Sequence, residues 1–275
     1  MKILQCGRFT LDLAQPRIMG IVNVTDDSFS GDGLGGRAEA AIARGLRMVE
    51  EGAGILDVGG ESSRPGAEPV SIEQELDRVL PVIDGLRNCG VPLSVDTVKP
   101  DVMAAAIAAG ADMINDIAAL AAPGSMAAAA ASRAAVCLMH MRGEPRTMQQ
   151  APAYDDVVAE VLAFLEFRVA ACEAAGIGRR RIVIDPGFGF GKTLAHNLAL
   201  LRHLDRFAWL GLPVLAGLSR KSMLGAITGR AVADRLPAGI AAALLAVQRG
   251  AAIVRVHDVA ATRDALAVLN ALGEE

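Results

Sequence analysis

The feature that most constrains this chain is an eightfold alternation along its length. Short β-branched and apolar runs fall at 18–24, 55–58, 93–95, 113–115, 135–139, 182–184, 213–216 and 253–256. Longer Ala- and Leu-rich stretches with helical spacing follow them, at 37–51, 72–86, 100–109, 125–132, 155–175, 194–204, 237–249 and 260–272. Most of the short runs are nearly all apolar rather than alternating, as expected of parallel strands covered on both faces. Ser71 with Gln74 makes a capping box, Pro100 and Pro237 suit a first helical turn, and Gly52, Gly110, Gly176 and Gly250 close helices. An open doubly wound sheet usually has about five or six such units, whereas eight close a barrel. The spacing predicts one α/β domain over 1–275. Residues 15–275 form a (β/α)8 TIM barrel, and residues 1–14 hold a short hairpin, turning at Gly7-Arg8, that plugs the barrel bottom.

Composition narrows the class of function. With 52% hydrophobic and 21% charged residues, the chain carries ample core material, which excludes disorder and collagen-like repeats. A net charge of −4 supplies no basic field for a nucleic-acid backbone. Mean hydropathy is +0.37, largely from alanine, and the most apolar stretch, 118–139, is interrupted by Pro123, Gly124 and Arg133. No window offers the roughly 20 consecutive strongly apolar residues of a membrane span. The first residues lack the apolar core of a signal peptide, and Cys6, Cys89, Cys137 and Cys172 form no C-x-x-C pair. A reduced, cytoplasmic setting is the expectation.

The residues at the strand ends point to chemistry. They are Asn23, Asp57, Asp96, Asn115-Asp116, His140, Asp185, Ser219-Arg220-Lys221-Ser222 and His257. In a barrel these ends converge on the rim where such folds carry their sites. Arg255, His257, Arg220, Lys221 and Arg64 are donors suited to an anion, and Ser222 stands near the start of whatever helix comes after Lys221. The run from Gly187 to Thr193 is not a P-loop, since Pro186 stands where its first glycine belongs, and its glycines fall at every second position. It reads instead as a tightly turned or mobile loop. Phe29, Phe188 and Phe190 lie in glycine-rich loops, where stacking on a flat substrate competes with core packing. Asp96 and Asp185, near Asn115, are acceptors for adjacent N–H donors such as those of an aminopyrimidinone ring. An acid–base pair and a two-metal site are the competing roles, although no metal-ligand spacing supports the second. Asn23 suits a phosphate-bound Mg2+, which keeps few protein ligands.

Together the motifs resemble the dihydropteroate synthases. They are Asn23-Val24-Thr25 with Asp27-Ser28-Phe29-Ser30, Asp57-Val58-Gly59-Gly60-Glu61-Ser62-Ser63-Arg64-Pro65-Gly66, and Ser94-Val95-Asp96-Thr97. Asn115-Asp116, Asp185-Pro186-Gly187-Phe188-Gly189-Phe190-Gly191-Lys192, Ser219-Arg220-Lys221-Ser222 and Arg255-Val256-His257-Asp258 complete the set, in order and on every strand end. The resemblance implies a transferase of folate synthesis that joins p-aminobenzoate to hydroxymethyl-dihydropterin pyrophosphate. By matching position it implies that Asp96, Asn115, Asp185 and Lys221 hold the pterin. Asn23, Arg255 and His257 bind pyrophosphate, with Mg2+ at Asn23. Ser63, Arg64, Pro65, Phe190, Lys221 and Ser222 form the p-aminobenzoate side. The resemblance implies that Asp96, Asp185, Lys221, Arg255 and His257 carry the chemistry, beneath loops containing Phe29 and Arg64; the expectation is that these loops order only once pyrophosphate is present. A homodimer and sulfonamide binding are implied as well. Asp26, where the family commonly has proline, and Ser63, where it commonly has threonine, depart from the pattern on the second substrate's side. The rivals are a methyl-tetrahydrofolate-dependent methyltransferase domain, which needs no Arg255/His257 anion site, and a catalytically silent pterin-binding relative.

Overall fold

The computed structural model describes residues 3–24, 34–64 and 66–272. Eight parallel strands close a barrel in the order β3 (Arg17–Asn23), β4 (Ile55–Gly59), β5 (Leu93–Asp96), β6 (Met113–Asp116), β7 (Ala135–Met139), β8 (Ile182–Asp185), β9 (Val214–Ala216) and β10 (Ala251–Val256), which pairs back onto β3. Around it lie α1 (Leu34–Glu50), α2 (Ile72–Leu86), α3 (Pro100–Ala109), α4 (Ser125–Ala130), α5 (Val157–Ala174), α6 (Leu194–Arg202), α7 (Ser222–Thr228), α8 (Leu236–Gln248) and α9 (Val259–Ala271). The strand and helix bounds agree with the spacing to within three residues, the largest difference being the start of α1 at Leu34 rather than Arg37. Four short helical elements go beyond the eight helical stretches: α7, at the start expected after Lys221, and 3-10 segments at Arg179–Arg181, Leu204–Leu210 and Val232–Asp234. The capping box at Ser71 is formed, with Ser71 accepting from Gln74 N–H and Gln74 accepting in return from Ser71 N–H. No helix among the described residues is long and apolar enough to cross a membrane.

The hairpin of β1 (Ile3–Cys6) and β2 (Phe9–Asp12) is antiparallel and closes the barrel floor. Leu4, Cys6 and Leu11 pack with Met19, Ile55, Met113, Val183, Leu215 and Ile253, the lowest inward side chains of the barrel strands. The turn is locked by charge. Arg8 donates from its backbone N–H and its guanidinium to buried Asp112, whose other oxygen also accepts from Leu93 N–H. Gly7 sits at φ +57°, and a Cβ there would run into Asp112, so only glycine brings the turn this close.

The same parity builds the mouth. Side chains alternate along a strand, so two residues beyond each floor residue lies another inward position. Ile55 leads to Asp57, Met113 to Asn115, Val183 to Asp185 and Ile253 to Arg255. On β5 the register sets Ser94 beside Asp57, and Asp96 beside both Gly59 and Asn115. An apolar floor and a polar layer above it are thus two readings of one period.

Candidate functional site

The centre of the mouth is Arg255. Its Nε donates to Asp57 at 2.5 Å and an Nη donates to Asp96 at 2.7 Å. Asn115 adds its amide N–H to the same Asp57 oxygen at 3.0 Å, while the other Asp57 oxygen is buried with no partner among the described residues. Burial pushes the Asp96 carboxyl up to about 7, against the pull of Arg255. The guanidinium, between two carboxylates, is held in its charged form despite its own burial.

Asp185 lies in the same layer, and its Oδ1 accepts from Gly187 N–H at 2.7 Å. Burial raises its pKa, opposed by that N–H and by the charges of Lys221, Lys192 and Arg255. Lys221 reaches across to the Phe188 carbonyl and lies 4.3 Å from the centroid of the Phe190 ring. Burial lowers its ammonium to about 8, with Asp185 resisting. On the next strand end, Ser219 Oγ and His257 Nδ1 are 3.0 Å apart, and burial first, then Arg220 and Arg255, push the imidazole down to about 3. His257 is therefore neutral near pH 7 and offers hydrogen bonds rather than charge.

Most of the residues assigned from the sequence meet here: Asp96, Asn115 and Arg255 in one bonded network, Asp185 and Lys221 beside it, and His257 at its edge. Asn23 closes β3 opposite Gly59, and a Cβ placed on Gly59 would lie 3.9 Å from Asn23 Oδ1 and 3.8 Å from Asp96 Oδ2. Ser63 and Arg64 lie in the loop after β4, with Arg64 exposed, and Ser222 is exposed at the first position of α7. Neither group touches the central network through any bond among the described residues. Pro65, Asp26 and the loop containing Phe29 lie outside the described residues.

Three readings need correction, and a fourth residue, Arg220, is paired in this structure: it makes a two-pronged pair with Asp258, at 2.7 and 3.2 Å, from a left-handed backbone at φ +58°. Phe188 is a core residue, 1% exposed, so stacking on a substrate falls to Phe190 alone of the two described. Asp116 and His140 turn away from the mouth. Asp116 caps the N–H groups of Ala118 and Leu120, and His140 is buried against Lys192. Two residues join the site that were given no individual role from the sequence. Asp57, placed on the rim with the other strand ends, anchors Arg255, and its cue is a carboxylate inside an otherwise apolar strand. Lys192 is 3% exposed, and its cue is a lysine closing a run of alternate glycines.

Comparison with known proteins agrees with this geometry. The pterin binding enzyme family model matches residues 19–257. The dihydropteroate synthase of Neisseria meningitidis serogroup B is 51% identical over 278 residues, covering 98% of each chain. A solved structure of Xanthomonas albilineans dihydropteroate synthase with 4-aminobenzoic acid is 56% identical, with a TM-score of 0.93, over 100% of this chain and 99% of that one. The same organism's enzyme in complex with 7,8-dihydropteroate is 54% identical, with a TM-score of 0.90, over 99% of both. A barrel whose mouth joins buried acceptors to a central guanidinium, matched end to end at such identity, belongs to the pterin-binding enzymes and, within them, to the dihydropteroate synthase family of transferases.

Proposed function

We propose that this chain condenses p-aminobenzoate with hydroxymethyl-dihydropterin pyrophosphate, forming dihydropteroate and releasing pyrophosphate. The observation that carries this reading is the buried layer in which Asp96, Asn115 and Asp185 surround Arg255 beside Lys221. Fixed acceptors packed this closely suit a flat ring with adjacent N–H donors. In the reaction the methylene C–O bond breaks, pyrophosphate takes the electron pair, and positive charge grows on the pterin methylene. Asp96 and Asp185 offset that charge, and Arg255, His257 and Asn23 receive the departing anion. Arg255 serves both halves, since its bonds to Asp57 and Asp96 aim it from the pterin side. The amine of p-aminobenzoate then forms the C–N bond and loses a proton, its ring against Phe190 and Lys221 and its carboxylate towards Ser63, Arg64, Pro65 and Ser222.

Mg2+ fits this reading through Asn23. Among the described residues no three His, Cys, Asp or Glu side chains group as a metal cage. Mg2+ bound to a phosphorylated substrate needs only one or two protein oxygens. Gly59, lacking a side chain, leaves space beside Asn23 Oδ1 and Asp96. When bound, the ion supplies charge neutralisation on the pyrophosphate oxygens.

The test is pyrophosphate release from the purified chain with dihydropterin pyrophosphate and Mg2+, with and without p-aminobenzoate. Release that requires p-aminobenzoate, yields dihydropteroate and collapses on adding EDTA is the expected result. Tight pterin binding without such release would identify a silent pterin-binding relative. The reading includes a cytoplasmic homodimer, supported by the apolar side chains of Ile227, Val232, Leu236 and Leu245 left exposed on α7, α8 and the turn between them. Sedimentation equilibrium should give twice the 28.5 kDa chain mass, and the single mass would remove the dimer.

A further inference from the structure

The 187–191 loop has no regular secondary structure, yet every one of its carbonyls is claimed. Gly189 O accepts from Gln149 Nε2, Gly191 O from Tyr154 Oη at 2.8 Å, and Phe188 O from Lys221. The two that remain, Gly187 O and Phe190 O, both accept from Lys192 Nζ at 2.9 Å. The same ammonium lies 3.0 Å from His140 Nδ1 and 3.3 Å from the His140 carbonyl. Burial, reinforced by Lys192, pushes the His140 imidazole down to about 3, so the ring is neutral and its Nδ1-unprotonated tautomer accepts from the ammonium.

The glycines show why the loop needs this anchor. Gly187, Gly189 and Gly191 all have left-handed φ, at +71°, +81° and +61°. A Cβ on Gly187 would strike the His140 carbonyl, one on Gly191 the Arg142 carbonyl, and one on Gly189 would meet Lys221 Cδ at 3.0 Å. The backbone after β7 therefore lies directly on the loop, and three glycines give a conformation with little intrinsic preference of its own. Lys192 forms no ion pair with a carboxylate among the described residues. A buried ammonium is costly to place, and burial lowers Lys192 to about 7 against the pull of Asp185; its hydrogen bonds all go to carbonyls and an imidazole.

We infer that Lys192 is the positioning residue of this site: it holds the 187–191 loop so that the Phe188 carbonyl and the Phe190 ring meet Lys221. Lys192 makes no hydrogen bond to Lys221; beyond the repulsion between the two ammonium groups, it acts on Lys221 through the loop. What Lys221 and Phe190 do for substrates rests on the proposed function; the placement itself does not.

The test pairs structure with a mutant cycle. In crystals of Lys192→Met the loop should leave its path, with Lys221 Nζ released from the Phe188 carbonyl. In solution K192M should lower kcat/KM for p-aminobenzoate by about 30-fold, yet by less than about 3-fold when added to Lys221→Gln, because residues acting through one another are not additive. A loop unmoved in the crystal would overturn the inference. So would a K192M loss that multiplies fully in the K221Q background, or a lower Tm with unchanged kinetic constants. If K192M fails to fold, Lys192→Gln, which keeps a donor, carries the same measurements. A native chain without turnover would sink the proposed function and leave the crystallographic arm to decide this one.

Discussion

Asp185→Asn is expected to lower kcat/KM for the pterin substrate by about 10²- to 10³-fold, a loss of about 3–4 kcal/mol, while the protein stays at least as stable as before. Asparagine has nearly the same shape, and its carbonyl can still accept from Gly187 N–H, so the start of the glycine loop keeps its anchor. The change falls on the other arm. An acceptor facing the barrel mouth becomes an NH2 donor, set against the N–H groups of the ligand and the positive field of Lys221, Lys192 and Arg255. Stability should not suffer, because burial already works against the ionised form of Asp185 and the variant removes that burden. Calorimetric titration with the pterin pyrophosphate, read beside a urea melt, separates the two effects. Near-normal affinity in a folded variant would take Asp185 out of ligand contact, and an equal loss of fold and affinity would make it a structural residue.

The barrel is legible in the sequence because its information is periodic. Eight apolar runs, seven of them ending in a polar residue, encode strand count, direction and the rim, and the inward parity that places Ile55 in the floor also places Asp57 above it. The roles of individual polar side chains are less legible, because they depend on which partner the fold brings within bonding distance. Arg220 and Arg255 look alike in the sequence. One is folded back onto Asp258 by a left-handed backbone, while the other points inward between Asp57 and Asp96. Phe188 and Phe190 sit two apart in the same loop, but the turn closed by Phe190 N–H on the Gly187 carbonyl sends the first into the core and leaves the second beside Lys221. Lys192 gives little signal because a lysine is usually a surface residue, and only the loop geometry shows that its charge is taken up by carbonyls.

Removing Arg255 should produce the other large effect, and its pH dependence identifies the cause. Arg255→Met leaves the buried carboxylates of Asp57 and Asp96 without their shared cation, a loss expected to destabilise the fold by about 3–5 kcal/mol near neutral pH. Asp96 sets the sign. Its pKa in the folded chain, about 7, lies above the value of about 4 for an unfolded aspartate, so the folded state binds the extra proton. Its contribution to stability is therefore fully present below about pH 4 and is lost as pH rises through about 7. Without the guanidinium the folded pKa climbs further, and the loss continues to higher pH. The gap between the native chain and R255M should accordingly be small at pH 5 and much larger at pH 8 in urea denaturation. A gap that does not change with pH would mean that the side chain contributes packing alone. Turnover should fall with the same pH trend, because only an ionised Asp96 can offset charge growing on the pterin methylene, and Arg255 is the group that keeps it ionised.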